Sequence, residues 1–180
     1  MSSLNTSANA LLTVALSRAD ARSAPSAAPA WGAPTITNVV TNISPNPITL
    51  LRWSSPLDPL ALQLGLLHIT PAGSDIEMEI PTVIVSRQLP PEREDLVTLG
   101  PGESKAQEIE LKDIFVPKER LFPQGGGGQA KVVCKGEWMA VWPGLRGDEI
   151  DDEALQLMGA HEKAVKGEYE SGPLEISPVL

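Results

Sequence analysis

The chain has 180 residues, 42% of them hydrophobic, with 23 acidic against 14 basic side chains and a formal net charge of -9. This length fits one globular domain plus extra segments, and no stretch reaches the roughly 20 apolar residues that a membrane span needs. The negative charge argues against nucleic-acid and membrane-surface binding, and a single cysteine, Cys134, excludes an internal disulfide framework and a thiolate zinc cluster.

Residues 1–33 are rich in Ala and Ser and contain few large apolar side chains after Leu16. Because such a segment cannot build a packed core, we predict a flexible N-terminal arm. Its apolar run at 10–16 resembles the centre of a signal peptide, but no Lys or Arg precedes it. A disordered arm, a secretory signal and an organelle transit segment all stay open. The weak signal and the lone cysteine slightly favour the cytoplasm over secretion.

Residues 34–145 contain short β-branched or alternating runs separated by Pro, Gly, Asn and Asp. This pattern is typical of strands joined by tight turns, because Pro cannot donate a ladder hydrogen bond and Gly allows positive φ. Seven or eight short strands predict an all-β fold, an immunoglobulin-like antiparallel β-sandwich. The predicted strands are 35–43, 48–53, 66–70, 76–80, 82–86, 96–99, 106–111 and 131–142.

Residues 146–180 hold nine acidic and three basic side chains, a net charge of -6. Asp151 or Asp152 is suited to cap a helix reaching Lys166, because acidic residues at a helix start complement its dipole. Leu155 and Val165 lie on roughly one face of that helix. We therefore predict an acidic, partly helical and exposed C-terminal tail.

Catalysis near neutral pH usually relies on a histidine, and only His68 and His161 exist. Alternation places His68 on the wet face of a strand. His161 begins a His-Glu-x-x-His zinc signature, but its fifth position is Val165, so a zinc ligand is missing. We predict no catalytic residue, no metal site and no cofactor, and we interpret Cys134 as an inert thiol.

The tryptophans are the large side chains available to fill the core of a chain with two Phe and one Tyr. We favour that packing role, with an exposed binding patch as the alternative. The loops at 54–64 and 117–128 are further contact candidates, since binding residues concentrate on loops held by a rigid scaffold. The candidates for protein binding are Trp53, Leu57, Asp58, Phe122, Trp138 and Trp142.

Several segments follow one another in an order known from one family: Thr41-Asn42, Ile48-Thr49-Leu50-Leu51, Ser55-Pro56-Leu57-Asp58, Pro90-Pro91, the run from Asp95 to Ser104, Ile109-Glu110-Leu111 and Ile114-Phe115. This order, over about residues 34–142, resembles the N-terminal β-domain of fungal peptidyl-Lys metalloendopeptidases and deuterolysin-like proteins. The resemblance implies a non-catalytic domain. The zinc signature of the peptidase is absent and the chain stops about where that domain would begin, which implies a stand-alone pro-domain-like module.

These observations lead to three hypotheses. The first is a non-enzymatic module that binds another protein, with a metallopeptidase as the partner that the resemblance suggests, acting as an inhibitor or a folding assistant. The second is an enzyme or small-molecule binder that uses a cavity between the sheets, with His68, Glu77, Glu79 or Cys134 as its polar groups. The third is a self-assembling protein. The sequence leaves the oligomeric state open.

Overall fold

The computed structural model describes residues 7–19, 33–123 and 128–178. Every strand pair in these ranges is antiparallel, so the predicted all-β class is confirmed. The elements are β1 (Leu12–Arg18), β2 (Thr35–Asn42), β3 (Ile48–Leu51), β4 (Leu67–Thr70), β5 (Leu96–Leu99), β6 (Ser104–Glu110), α1 (Lys118–Leu121), β7 (Ala130–Glu137), β8 (Val141–Pro143), α2 (Asp152–Leu157), β9 (Glu168–Glu170) and β10 (Leu174–Ile176).

The strands form three sheets in the orders β1-β2-β6, β5-β3-β8 and β10-β7-β4, and β9 also pairs with β7. Side chains from all three sheets meet in one apolar cluster, the main core, which includes Ile36, Leu50, Ile109, Val132 and Ile176. These five side chains are each at most 4% exposed. The sheets therefore close on a shared interior, as the sandwich prediction requires.

Buried Asn42, at the end of β2, ties two sheets together. Asn42 donates its side-chain amide to Asn46 O at 2.8 Å and to Leu99 O at 3.0 Å. The backbone of Asn42 also accepts from Gly102 N–H and donates to Glu103 O. These hydrogen bonds hold the end of β5 and the start of β6 against β2. They also satisfy the buried amide groups of Asn42, which would be costly to leave unpaired.

A smaller apolar cluster, the second core, lies on the other face of the β5-β3-β8 sheet. It joins strand residues to the segment after β8 and consists of Leu51, Trp53, Ala140, Trp142, Ile150, Ala154 and Leu155. Asp151 caps α2 by accepting from Ala154 N–H at 2.8 Å, as predicted. The predicted helix to Lys166 is too long, since α2 ends at Leu157 and Met158 has a positive φ of 47°.

The prediction of a flexible arm over residues 1–33 is wrong for residues 12–18. All seven residues of β1 pair with β2, from Leu12 opposite Asn42 to Arg18 opposite Ile36. Leu12 is 4% exposed and packs in the main core. A short apolar run is therefore enough to form a strand when a neighbouring strand is available to pair with it. Residues 1–6 and 20–32 lie outside the described residues.

The predicted strands at 76–80 and 82–86 do not form. Instead of a ladder, this region has two separate backbone hydrogen bonds, from Met78 N–H to Ile69 O and from Val83 N–H to Gln63 O, and Met78 packs in the main core. Pro81 between them has no N–H to donate, which prevents a continuous ladder. The predicted strand at 131–142 is also two strands, β7 and β8.

The predicted acidic tail does not stand apart from the sandwich. Within residues 146–178, β9 and β10 pair with β7, and Ile150 and Leu155 pack in the second core. The domain boundary at residue 145 is therefore wrong. None of the described helices has the length and apolar character that crossing a membrane requires.

Candidate protein-binding site

The six residues predicted to bind protein lie inside the molecule. Trp53, the most exposed of them, has 5% of its surface accessible, and Trp142 is fully buried, as the packing interpretation expects. The other four are Leu57, Asp58, Phe122 and Trp138. A surface contact through these side chains is therefore not available in this conformation. Part of the 117–128 loop, residues 124–127, lies outside the described residues.

Asp58 organises the loop at 54–64 instead of facing a partner. Its carboxylate accepts from Ser54 N–H at 2.8 Å, from Leu60 N–H at 3.0 Å and from the Arg87 guanidinium at 2.6 Å. Arg87 also lies 5.3 Å above the ring of Trp53. Ser54 has a positive φ of 55°, an unfavourable conformation for a residue with a side chain. The buried carboxylate stabilises this turn.

Tyr169 and Cys134 are held in protonated forms. Tyr169 donates its hydroxyl to Ser54 O at 2.6 Å, and its ring contacts Trp138 with centroids 4.7 Å apart. Burial, with smaller contributions from Cys134 and Asp58, raises the pKa of Tyr169 above its ordinary value. Burial likewise raises the pKa of Cys134 to about 12. A thiol with this pKa is a poor nucleophile near neutral pH.

His68 forms a hydrogen-bond contact with Glu77 at the surface. Its Nδ1 lies 2.5 Å from Glu77 Oε1, and the two side chains are 27% and 47% exposed. The clefts on either side of His68 are open. Charged side chains line both of them, with Lys135, Glu137, Glu168 and Glu170 on one side and Glu77 and Glu79 on the other. In this arrangement the side chains of His68 and Glu77 join β4 to the segment that follows it.

His161 does meet two acidic residues that the sequence analysis did not connect to it. One donor atom each from Asp151, Glu153 and His161 lies within 4.8 Å of the others, and His161 is 9% exposed. However, His161 Nδ1 accepts from Lys163 N–H at 3.3 Å. Metal-bound imidazoles almost always donate from their second nitrogen. This hydrogen bond therefore does not fit a metal centre at His161.

A groove of about 310 Å³ opens between β5 and β6, the neighbouring edges of two different sheets. Neither strand has a partner on this side among the described residues. Apolar, polar and basic residues line the groove, including Arg52, Leu57, Val97, Thr98, Lys105 and Ala106. No acidic side chain is among the described residues that line it. We call this feature the β5–β6 groove.

The backbone of β6 presents the N–H and C=O of Ala106 to the groove, whereas Glu108 O accepts from the side chain of Gln107 and Glu110 O accepts from Lys112 N–H. Asn42 N–H donates to Glu103 O and Leu111 N–H donates to Pro34 O, so the odd-numbered residues of β6 face β2. Alternation turns the N–H and C=O of Ala106 to the opposite side. An exposed edge of this kind is a ready template for another strand. β6 runs for seven residues and is mostly exposed.

Arg52 and Lys105 give the β5–β6 groove its positive charge. Arg52 is half-buried, and in the described part of the chain no carboxylate lies within ion-pair distance of either cation. The sequence analysis missed both residues. It predicted the strand at 106–111, but it had no signal for which strand ends a sheet.

Comparisons with known proteins give a family and one distant relative. The family model for the immunoglobulin-like domain matches residues 26–178. An uncharacterized secreted protein of Arthroderma benhamiae is 25% identical over 134 residues, which cover 74% of this chain and 63% of that protein. The chain thus spans less than two thirds of the relative's length.

Among solved structures, the X-ray structure of Northeast Structural Genomics Consortium target SoR45 matches with a TM-score of 0.29 and 10% identity. The match covers 92% of this chain and 84% of that one.

Proposed function

The chain belongs to the immunoglobulin-like domain family, and from this premise we propose that it is a non-catalytic module that binds another protein by β-strand addition. The observation that supports this function is the open edge of β6 beside the β5–β6 groove. An extended segment of a partner would pair with this edge and lie in the groove. Exposed sheet edges are used for peptide recognition in this way.

Strand addition divides affinity and specificity between backbone and side chains. The N–H and C=O of Ala106, which point away from β2, would form the main-chain hydrogen bonds. Alternate side chains of the added strand would occupy pockets of the groove beside Arg52, Lys105 and Gln107. Leu57 and Val97 lie beneath this surface and are 3% and 6% exposed. Main-chain bonds supply affinity and these pockets supply specificity.

The chemistry of the described residues supports a non-enzymatic role. Cys134 is fully buried with a pKa raised to about 12, and His68 pairs with Glu77 at the surface. The alternative of a ligand cavity between the sheets has less support, because Cys134 packs among the apolar side chains of the main core.

A metallopeptidase is the narrower partner that we propose to test first. This choice rests on the resemblance of residues 34–142 to the β-domain that precedes fungal metalloendopeptidases. The name of the Arthroderma benhamiae relative describes that protein as secreted. If this chain shares that location, it would meet extracellular peptidases there.

The test compares Ala106→Pro with Ala106→Thr in the full chain. Proline removes the outward N–H without touching the ladder to β2, and proline is tolerated on edge strands whose N–H faces solvent. Threonine keeps the N–H and favours a strand. We expect a purified fungal peptidyl-Lys metalloendopeptidase to be captured and inhibited by the wild type and by Ala106→Thr, and not by Ala106→Pro.

Two results would argue against these proposals. Equal capture by all three proteins would exclude strand addition at β6 while keeping the peptidase as a partner. Absence of any peptidase binding would exclude the narrower proposal, and a peptide selection, described below, then tests strand addition itself. Circular dichroism and thermal unfolding of each variant check that the fold is intact.

A further inference from the structure

We propose that the segment recognised by the β5–β6 groove carries an acidic side chain, which binds between Arg52 and Lys105. This inference rests on strand addition as the proposed function and names the chemistry of the partner. The supporting observation is that two cations on different sheets line one groove beside an open strand edge. No acidic residue is among the described residues that line this groove.

Arg52 occupies an inward-facing position. It follows β3, where Leu51 and Trp53 pack in the second core on one face of the sheet. Because side chains alternate along extended chain, Arg52 points to the other face, as Leu50 does in the main core. Arg52 N–H donates to Asp95 O at 2.8 Å, which fixes the backbone at this point. Arg52 therefore lines the groove from the β5-β3-β8 sheet.

Lys105 reaches the same groove from the other sheet. Along β6, Lys105, Gln107 and Ile109 share one face, and Ile109 is buried in the main core. The face that bears Lys105 is therefore the inner face of the β1-β2-β6 sheet. A strand added to β6 continues this sheet, so its inward side chains point towards Arg52.

The other arginines with assigned partners show what Arg52 lacks. Arg87 is bound by the buried Asp58 at 2.6 Å, and Arg93 lies 3.6 Å from Asp152. Half-buried Arg52 has lost part of its hydration without such a partner among the described residues. A planar guanidinium binds a carboxylate through two parallel hydrogen bonds, so an acidic side chain matches this position.

The charge of the whole chain makes an acidic ligand selective for this groove. The net charge is -9, so the protein as a whole disfavours the approach of acidic peptides. The groove is lined by Arg52 and Lys105 and, among the described residues, by no acid. Attraction is therefore local, and added salt should weaken it.

The experiment selects heptapeptides from a randomised display library on the immobilised full-length protein. The best peptide is then synthesised with each acidic residue replaced by its amide, and affinities are measured by titration calorimetry. We expect selected peptides to be enriched in Asp or Glu. The amide peptide should bind about tenfold to a hundredfold more weakly, the loss of one charge-assisted hydrogen bond.

Variants of the protein locate the effect. Arg52→Gln and Lys105→Gln should lose the preference for the acidic peptide over its amide, while Arg120→Gln and Lys131→Gln, exposed cations outside the groove, should keep it. Ala106→Pro should lose both peptides, and Ala106→Thr should keep both. The affinity of the wild type for the acidic peptide should fall as the ionic strength rises. This fall should be less steep for Arg52→Gln.

The possible failures are distinguishable. Peptides that depend on the Ala106 N–H but show no acidic preference would overturn the charge inference and leave strand addition in place. An acidic preference that survives in Arg52→Gln and Lys105→Gln would also overturn it. Selection of no peptide sensitive to Ala106→Pro would overturn strand addition itself, and the charge inference with it.

Discussion

Asp58 shows how one buried side chain fixes the conformation of a loop. Its side chain is 1% exposed and binds two backbone N–H groups and Arg87, which is 29 residues away in sequence. We expect Asp58→Ala to lower the free energy of unfolding by about 3–5 kcal/mol, because a partly buried guanidinium and two N–H groups lose their acceptor. Urea unfolding followed by circular dichroism measures this change.

Asp148→Ala is the matched control for Asp58→Ala, since Asp148 is an exposed acid in the same chain. Its loss should change the free energy of unfolding by less than about 0.5 kcal/mol. A comparable effect of both substitutions would mean that Asp58 behaves as a surface charge, contrary to the role assigned to it here.

Cys134 predicts a stability change at alkaline pH. The thiol titrates at about 12 in the folded protein and at 9.0 in the absence of burial, so the unfolded chain loses this proton first. The contribution of protonated Cys134 to the free energy of unfolding is therefore complete below pH 9.0 and falls as the pH rises towards 12. The slope is about 1.4 kcal/mol per pH unit.

The test of this slope compares wild type with Cys134→Ala by urea unfolding at a series of pH values. The substitution also leaves a small cavity, which lowers stability by a constant amount at every pH. Tyr169, whose pKa is also raised, contributes its own decline in both proteins. Parallel pH profiles for the two proteins would show that Cys134 ionises normally in the folded state.

The sequence predicts which types of residue are buried better than it predicts which residues contact one another. Large apolar groups such as Trp142 are expected in a core, because burying them is favourable wherever the chain places them. The role of Asp58 depends on Arg87, and the role proposed for Arg52 depends on the lack of a carboxylate within ion-pair distance among the described residues. Both are facts about tertiary neighbours, and the local sequence contains no record of them.

At the scale of elements, the sequence predicts strands where alternation and turn residues agree. The strand at 96–99 has the predicted bounds, and β2 differs from its prediction by one residue. Alternation also predicted a strand at 76–80, but no neighbouring strand pairs with it in the described ranges. Conversely, β1 has little local signal and forms because β2 offers a complete edge. Pairing is therefore the missing information in both errors.

Because the segment after β8 packs in the second core, we expect substitutions that reduce this packing to lower the free energy of unfolding. Ile150 is 1% exposed and packs with Trp53 and Trp142. Ile150→Ala should lower the free energy of unfolding by about 2–5 kcal/mol, the sum of lost burial and the cavity left behind. Tryptophan fluorescence during urea unfolding measures it, because two of the tryptophans line the cavity.

The control for this element is Ile114→Ala, which removes the same atoms from a side chain that is 79% exposed. It should alter the free energy of unfolding by less than about 0.5 kcal/mol. If Ile150→Ala were equally mild, the segment after β8 would be a loosely attached tail, as the sequence analysis expected.

The whole molecule has no division between sandwich and tail in the described ranges. β3 and β8 contribute to the main core through Leu50 and Val141 and to the second core through Leu51 and Trp142. β10 at the far end pairs with β7, and Ile176 reaches the main core. The two cores therefore share a sheet, and neither can lose its packing without disturbing the other.

This shared sheet predicts a single cooperative unfolding transition. In a Trp31→Phe background, fluorescence reports Trp53, Trp138 and Trp142, which lie in the two cores, while far-ultraviolet circular dichroism reports the strands. Both signals should give the same urea midpoint and slope, as two-state unfolding requires. In Ile150→Ala, both midpoints should fall together. Separate midpoints would mean that the second core unfolds while β3 and β8 stay paired, and the segment after β8 would then be an appendage of a sandwich that is stable without it.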